Sequence, residues 1–169
     1  MNSTQLLQDG FGRIQDLVHA AVDGLTADQL SYRVDPGANS IAWLIWHLTR
    51  VQDDHVADAA GLQQVWTSQG WSQRFGLSLD ESDTGYGHSG DDVAAVTVES
   101  PDLLTGYYDA VWDQTRAYLD GLDDDALDRV VDEHWDPPVT LGVRLTSVIG
   151  DDLQHVGQAA LLRGIVTRR

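Results

Sequence analysis

The chain has 169 residues, 42% of them hydrophobic and 22% charged, which is typical of one globular domain with a core of its own. Its 27 Asp and Glu against 10 Lys and Arg give a formal net charge of -17. An acidic surface repels phosphate backbones and anionic lipid headgroups, so we expect no nucleic-acid partner and no membrane-surface role. The absence of cysteine excludes disulfides, thiolate metal ligands and a cysteine nucleophile.

Targeting and membrane signals are not visible in the sequence. Residues 1–8 lack a basic patch followed by an apolar run, and no uninterrupted apolar stretch approaches the roughly 20 residues that span a bilayer. No internal repeat or domain boundary is apparent either. These observations predict a cytoplasmic protein with a single domain over residues 1–169. Adaptation to high salt is an alternative explanation of the acidic charge.

Helical spacing of apolar residues predicts the first two long helices. The first extends over residues 4–22, and Thr26–Gln29 has the pattern of a capping box that opens a short helix. An N-cap at Asn39 or Ser40 precedes a second long helix, over residues 41 to about 61. Because its first two turns are apolar almost all round, we expect this helix to lie in the centre of the fold.

The second half of the chain predicts two more long helices after a long connection. Residues 66–99 are rich in Gly, Ser and Asp, and connections of this length in compact domains tend to be lids or binding loops. Pro101 opens a helix that stops at Gly121, and Thr140 caps a last helix that continues to about Val166. With no convincing alternating strand, we predict an all-α fold, a four-helix bundle with a long loop between the second and third long helices.

Two polar residues of the last helix suggest a metal site. Asp151 and His155 are four residues apart, so they project from one face of the helix and are able to bind a single ion. Arg144 precedes Asp151 by seven residues and points to roughly the same side. An i,i+4 surface ion pair is the commoner explanation of such spacing.

The second long helix carries a histidine where a core helix should be apolar. His47 lies between Trp46 and Leu48, and a buried imidazole must satisfy both of its ring nitrogens. One interpretation is a core histidine that is hydrogen-bonded to a carbonyl or a carboxylate. The other is a third metal ligand that reaches across the bundle toward Asp151 and His155. Two histidines and one carboxylate leave coordination positions open, as in catalytic rather than structural metal sites.

These motifs resemble the DinB-like superfamily of metal-binding four-helix bundles, and the resemblance covers essentially the whole chain. The superfamily has a W-x-x-x-H-L pattern in its second helix and an H-x-x-x-H pair followed by Gly-Gln in its last helix. The corresponding segments here are Trp43–Leu48 and Asp151–Gln158. The segments Gly37–Trp43 and Trp135–Gly142 are similar to an actinobacterial branch without an assigned reaction.

The resemblance implies that His47, Asp151 and His155 hold a divalent ion, Zn or Ni. One position departs from the common pattern, because Asp151 stands where the superfamily usually has the first histidine of the final pair. The mycothiol-dependent maleylpyruvate isomerase of the superfamily also uses a carboxylate there, so the change is compatible with metal binding. Asp152, three residues before His155, is a competing ligand.

The resemblance also implies a chemistry. Characterised members are thiol-linked enzymes, among them S-transferases that use bacillithiol or mycothiol, and a bound cation favours thiolate over thiol. We therefore expect mycothiol or a similar thiol as a cosubstrate, which would supply the sulfur that this chain lacks. Arg144 would hold an anionic group of a small-molecule substrate. A homodimer formed through helix faces is compatible with the superfamily.

Two other functions stay open on the sequence alone. One is a non-catalytic bundle that binds a small molecule beside a degenerate metal site, for which the aspartate at position 151 is the motive. The other is a metal-dependent hydrolase, because the same open site would lower the pKa of a bound water. Metal content would distinguish the non-catalytic bundle from a metal-dependent enzyme. Dependence on a thiol would distinguish a thiol transferase from the hydrolase.

Four more polar residues lie near these positions. His55 is eight residues beyond His47 and about 80° round the helix, so we expect a rim residue rather than a ligand. Asp54 lies seven residues from His47 on nearly the same face and is a candidate hydrogen-bonding partner for it. Tyr86 and His88 lie in the long loop and are candidates to line a pocket, although their loop position favours exposure.

Overall fold

The computed structural model describes residues 1–169 and is mostly helical, which confirms the predicted all-α class. Four of its helices have 20 to 26 residues, and the other four are short. In chain order the helices are α1 (Ser3–Val22), α2 (Ala27–Ser31), α3 (Ile41–Ala60), α4 (Val65–Ser68), α5 (Trp71–Phe75), α6 (Gly90–Ala95), α7 (Pro101–Asp120) and α8 (Leu141–Val166). A 3-10 turn (Asp125–Asp128) and two strands, β1 (Val130–Asp132) and β2 (Val139–Thr140), precede α8.

Several long helices begin at an extended N-cap residue whose side chain accepts a hydrogen bond from an amide of the first turn. Ser40 Oγ accepts a hydrogen bond from the amide of Trp43 at 3.1 Å, and Thr140 Oγ1 accepts one from the amide of Val143 at 3.4 Å. Pro101 occupies the first turn of α7, where its missing N–H has no helical partner to lose. These are local signals, which is why the sequence placed the helix ends to within about a residue.

The long helices pack so that α3 and α1 each lie against both α7 and α8. One hydrophobic cluster joins all four, and α3 is buried along most of its length, as its apolar pattern predicted. The core therefore also encloses polar side chains of α3, among them His47, Arg50 and Asp53. No helix combines the length and the apolarity needed to cross a membrane.

A buried carboxylate of α3 holds the start of the connection that follows it. Asp53 accepts hydrogen bonds from the amides of Val65 and Trp66, each at 2.8 Å, and from the hydroxyl of Tyr107 on α7, also at 2.8 Å. Burial raises the pKa of Asp53, while these hydrogen bonds and the nearby Arg50 charge act in the opposite direction. Asp53 thus joins α4 to both α3 and α7.

Arg50 is fully buried on α3 and holds a more distant part of the same connection. Its Nε donates to the carbonyl of Asp83 at 3.1 Å, and its Nη1 donates to Gln64 Oε1 at 2.7 Å. Residues 83–88 are thereby held over the middle of α3. This placement brings them against His47, which lies one helical turn before Arg50.

Two parts of the predicted layout differ from the structure. The connection between α3 and α7 is not one long loop, because α4, α5 and α6 form within it. Two short strands also form where no alternating pattern is visible, since β1 and β2 pair antiparallel with Val130 opposite Thr140. Strands of three and two residues are too short for an alternating pattern to be visible.

Candidate metal centre

The three side chains predicted to bind a metal lie together between α3 and α8. The ligand atoms that His47, Asp151 and His155 offer all lie within 4.8 Å of one another, and the centres of the two imidazole rings are 4.7 Å apart. α3 supplies the first histidine, and one turn of α8 supplies the other two residues. The packing of α3 against α8 therefore creates this group from distant parts of the sequence.

His47 is held by residues 83–88. Its Nδ1 donates to the carbonyl of Thr84 at 2.5 Å, so the free lone pair of the neutral ring is on Nε2. One face of the ring stacks on Trp43, with ring centres 4.5 Å apart. Burial lowers the pKa of His47, which favours the neutral imidazole that a metal ion requires.

The two candidate ligands of α8 orient each other. His155 Nδ1 donates to the main-chain carbonyl of Asp151 at 2.8 Å, which leaves its Nε2 free. The Asp151 side chain raises the pKa of His155 more than burial lowers it. Burial opposes the ionisation of Asp151, but His155, His47 and His55 together outweigh burial and lower the pKa of Asp151.

Asp151 Oδ2 is a buried oxygen that accepts no hydrogen bond. It lies 3.3 Å from His155 Nδ1, but the hydrogen on that nitrogen is directed to the main-chain carbonyl of Asp151. A buried carboxylate oxygen without a donor is costly, and a cation among the three side chains would satisfy it. With two free imidazole nitrogens, this oxygen makes a donor set that fits a divalent ion with open coordination positions.

Asp152, the competing ligand, lies outside this group. It is fully buried, and neither of its carboxylate oxygens has a hydrogen-bond partner. Burial, reinforced by the charge of Asp151, raises the pKa of Asp152 well above its usual range, which favours the uncharged carboxyl. The geometry therefore favours Asp151 as the ligand.

A cleft of about 590 Å³ opens beside Asp151. Two aromatic side chains in its wall, Tyr86 and Trp135, are 68% and 67% exposed. Large aromatic side chains are mostly buried in folded proteins. The remaining wall comes from the second half of α3, the first half of α8, and β1 and β2. Its volume lies within the range of small-molecule sites.

Arg144 lines this cleft, and the protein already holds its guanidinium at two points. Nη2 donates to Asp132 Oδ2 at 2.9 Å, and Nη1 donates to His55 Nδ1 at 2.6 Å. The side chains of both Arg144 and Asp132 are largely buried. Binding of an anionic substrate group by Arg144 stays a prediction.

The structure agrees with some of the expectations for the other polar residues near the site and disagrees with others. His55 lies in the cleft wall, outside the three-residue group. Asp54 accepts a hydrogen bond from Gln64 Nε2 at 2.6 Å instead of pairing with His47, so the candidate partnership does not form. Tyr86 is exposed, as predicted, and packs edge-on against the ring of His47 with ring centres 5.7 Å apart.

The expected exposure of His88 was wrong, because its side chain is only 5% exposed. The indole N–H of Trp43 donates to His88 Nδ1 at 3.0 Å, and the imidazole stacks on Trp46 with ring centres 5.8 Å apart. The loop that carries His88 folds back onto α3, which its position in the sequence does not reveal.

The atoms that position His47 were not identified from the sequence. They belong to the main chain of Thr84 and Gly85, and a Cβ on Gly85 would lie only 2.6 Å from His47 Nδ1. The available signal was the Gly-Tyr-Gly segment at 85–87, in which both glycines have positive φ angles of 97° and 72°. Such glycines indicate a specially shaped loop, but they do not indicate what the loop contacts.

Two histidines and one carboxylate on packed helices, beside a cleft of small-molecule size, define a mostly helical protein with a candidate mononuclear metal centre. The model of the mycothiol S-transferase family matches residues 7–168, and the chain belongs to this family. The resemblance to the DinB-like superfamily is thereby confirmed. The family relates the protein to mycothiol and to group transfer, and it implies a small-molecule substrate.

A solved structure, described as a conserved protein from Enterococcus faecalis, has the same fold with a TM-score of 0.92. The two chains are 31% identical, and the similarity covers 100% of this chain and 99% of the other. No curated protein matches the chain.

Proposed function

We propose that this protein is a divalent-metal-dependent enzyme that activates a low-molecular-weight thiol such as mycothiol for transfer to, or isomerisation of, a small substrate. The ion, Zn or Ni, would be held by His47, Asp151 and His155. The scaffold would be a four-helix bundle of α1, α3, α7 and α8, in one domain over residues 1–169. The observation that carries the proposal is the buried, unpartnered oxygen of Asp151 beside two imidazoles with free nitrogens.

When bound, a divalent cation favours the thiolate over the thiol of a cosubstrate near neutral pH. The chain prepares the site by keeping His47 neutral through burial and by fixing Nδ1 of both histidines on main-chain carbonyls. Asp151 contributes one negative charge. The reacting sulfur has to come from the cosubstrate, because the protein has no cysteine.

The small substrate would lie in the cleft beside Asp151. Tyr86 and Trp135 offer exposed aromatic surface there. Arg144 is the candidate for holding a polar or anionic group of the substrate, because a guanidinium has five N–H donors and only two are engaged by the protein.

Replacing either histidine of the candidate centre with alanine is expected to weaken metal binding strongly. Elemental analysis of protein purified without chelators should find about one Zn or Ni per chain, because the three candidate ligands form a single site. Loss of a residue that hydrogen-bonds to a metal ligand lowers metal affinity by up to roughly 100-fold. Loss of a ligand itself should cost more, so the His47→Ala and His155→Ala variants should bind the ion more than about 100-fold more weakly. His19→Ala is the matched control, since His19 lies on the surface of α1 and pairs with Asp109.

Retention of the ion by both variants would contradict the proposed ligand set. Absence of metal from the wild-type protein, even after supplementation, would leave a small-molecule-binding bundle without metal chemistry. If Co(II) substitutes for the native ion, addition of mycothiol should change its visible spectrum because sulfur enters the coordination sphere. A spectrum that does not respond to thiol would favour the hydrolase instead.

Metal affinity is expected to fall as the pH is lowered, because protons compete with the ion for His155. The Asp151 side chain raises the pKa of His155, so the loss should begin above pH of about 6.5, the ordinary pKa of histidine. His47 adds little competition in this range, because burial lowers its pKa. Dissociation constants measured against a chromophoric chelator from pH 8 downward test this. Constant affinity through that range would contradict the assignment of His155.

A further inference from the structure

His55 is held in a single neutral form by its contact with Arg144. The Arg144 Nη1 atom lies 2.6 Å from His55 Nδ1. A guanidinium only donates hydrogen bonds, so Nδ1 must accept and the ring must carry its proton on Nε2. Burial and the Arg144 charge both lower the pKa of His55, which agrees with a neutral ring.

The Nε2–H of His55 is free to meet a ligand. His55 lies in the wall of the cleft beside Asp151, and its Nε2 neither forms a hydrogen bond within the protein nor lies among the buried unpartnered atoms. Arg144 cannot swing away easily, because its other terminal nitrogen is held by Asp132 at 2.9 Å. The result is a donor with a fixed direction, since both the ring and the residue that sets its tautomer are anchored.

A neutral imidazole donates a hydrogen bond well. It does not give up that proton, because the product would be a strongly basic imidazolate anion. It therefore suits a reaction in which an oxygen gains negative charge without leaving the substrate. Addition of a thiolate to a conjugated carbonyl is such a reaction. Opening of an epoxide is less suited, because the alkoxide that forms needs a complete proton.

Building on the proposed thiol transfer, we infer that His55 is a catalytic residue and that the electrophile is an α,β-unsaturated carbonyl compound. The thiolate sulfur forms a bond to the β-carbon, and the electron pair of the carbon–carbon double bond moves to give an enolate. The enolate oxygen accepts the hydrogen bond from His55 Nε2–H. Water then protonates the α-carbon, which replaces the proton that the thiol released to solvent, so the overall reaction is an addition without a redox change.

The first test is the tautomer of His55, which is independent of activity. Two-bond 1H–15N correlation spectra of the protein near pH 7 should show Nε2–H and an unprotonated Nδ1. In Arg144→Met, which keeps an apolar stem but removes the donor, the signals should move toward a mixture of tautomers. An Nδ1–H tautomer or a charged ring in the wild-type protein would overturn the inference.

The second test compares two electrophiles with mycothiol as the thiol. N-ethylmaleimide has a conjugated carbonyl, whereas benzyl chloride has no oxygen. The His55→Asn variant keeps an acceptor for Arg144 but lacks the distal donor, so the ratio of kcat/KM for maleimide to that for benzyl chloride should fall about 100-fold, as when one oxyanion donor is removed. His55→Gln, which places an amide N–H near the position of Nε2, should recover part of that ratio.

The outcomes separate the two proposals. Turnover of both electrophiles with equal losses in His55→Asn would contradict the role of His55 alone. A metal-loaded protein that turns over neither electrophile would contradict thiol transfer, and with it the role given to His55.

Discussion

Replacing Asp53 with asparagine is expected to lower the free energy of unfolding by about 3–5 kcal/mol, the range measured when one partner of a buried ion pair is removed. Asp53 accepts three hydrogen bonds, and an amide has only one oxygen to accept them with. Its NH2 group would face an N–H or O–H donor. Arg50, which lies 3.8 Å away and is fully buried, would also lose its nearest negative charge.

Urea denaturation of metal-free protein measures this effect without a contribution from metal binding. Asp54→Asn is the matched control, because Asp54 is the next residue of α3, is only half-buried and accepts a single hydrogen bond from Gln64. It should cost about 1 kcal/mol or less. Equal losses in the two variants would show that the Asp53 network does not stabilise the fold as argued. If Asp53→Asn does not fold, Tyr107→Phe removes one donor to Asp53 and one acceptor of Arg50, and should cost about 1–3 kcal/mol.

Gly85→Ala is expected to disrupt the candidate metal centre more than any other change outside the three ligands. The new Cβ would lie 2.6 Å from His47 Nδ1 and within 3.2 Å of Trp43 and Trp46. The backbone φ of 97° also disfavours any side chain at this position. Either His47 or the loop has to move, and metal affinity should fall by at least roughly 10-fold, as it does when a partner that orients a ligand is lost.

Gly87→Ala separates the two causes. Gly87 also has a positive φ, of 72°, but a Cβ there would contact nothing within 4 Å. This variant should lose about 1–2 kcal/mol of stability from backbone strain while keeping the metal affinity of the wild-type protein. Isothermal titration calorimetry with Zn, after bound metal has been removed with a chelator, compares the two variants directly. Equal affinities in Gly85→Ala and Gly87→Ala would contradict the part that we assign to residues 83–88.

Features that depend on neighbours in the sequence were predictable. Caps at Ser40 and Thr140 and the proline at position 101 placed the helices, because each acts on the turn next to it. The i,i+4 spacing of Asp151 and His155 follows from helix geometry alone. That the two face His47 depended on the family resemblance, since no local signal states which helices pack together.

Features that depend on how a connection folds back were not predictable. The burial of His88 and the contact of Thr84 with His47 both follow from the anchoring of residues 83–88 by Arg50. The pairing of Asp54 with Gln64 likewise requires the start of α4 to be in place. Such contacts join positions far apart in sequence through side-chain and main-chain hydrogen bonds, and no periodicity records them.

The two aromatic walls of the cleft differ in how closely each is tied to the candidate metal centre. Tyr86 belongs to a segment whose main chain orients His47, so changes around it would disturb the candidate metal centre as well as the cleft. Trp135 belongs to the turn between β1 and β2, which contributes none of the candidate ligands. Turns of this kind tolerate substitution and insertion. Changes of substrate range are therefore expected to arise through residues 133–138. A library of variants confined to that turn is the rational starting point for altering specificity without changing the candidate metal centre.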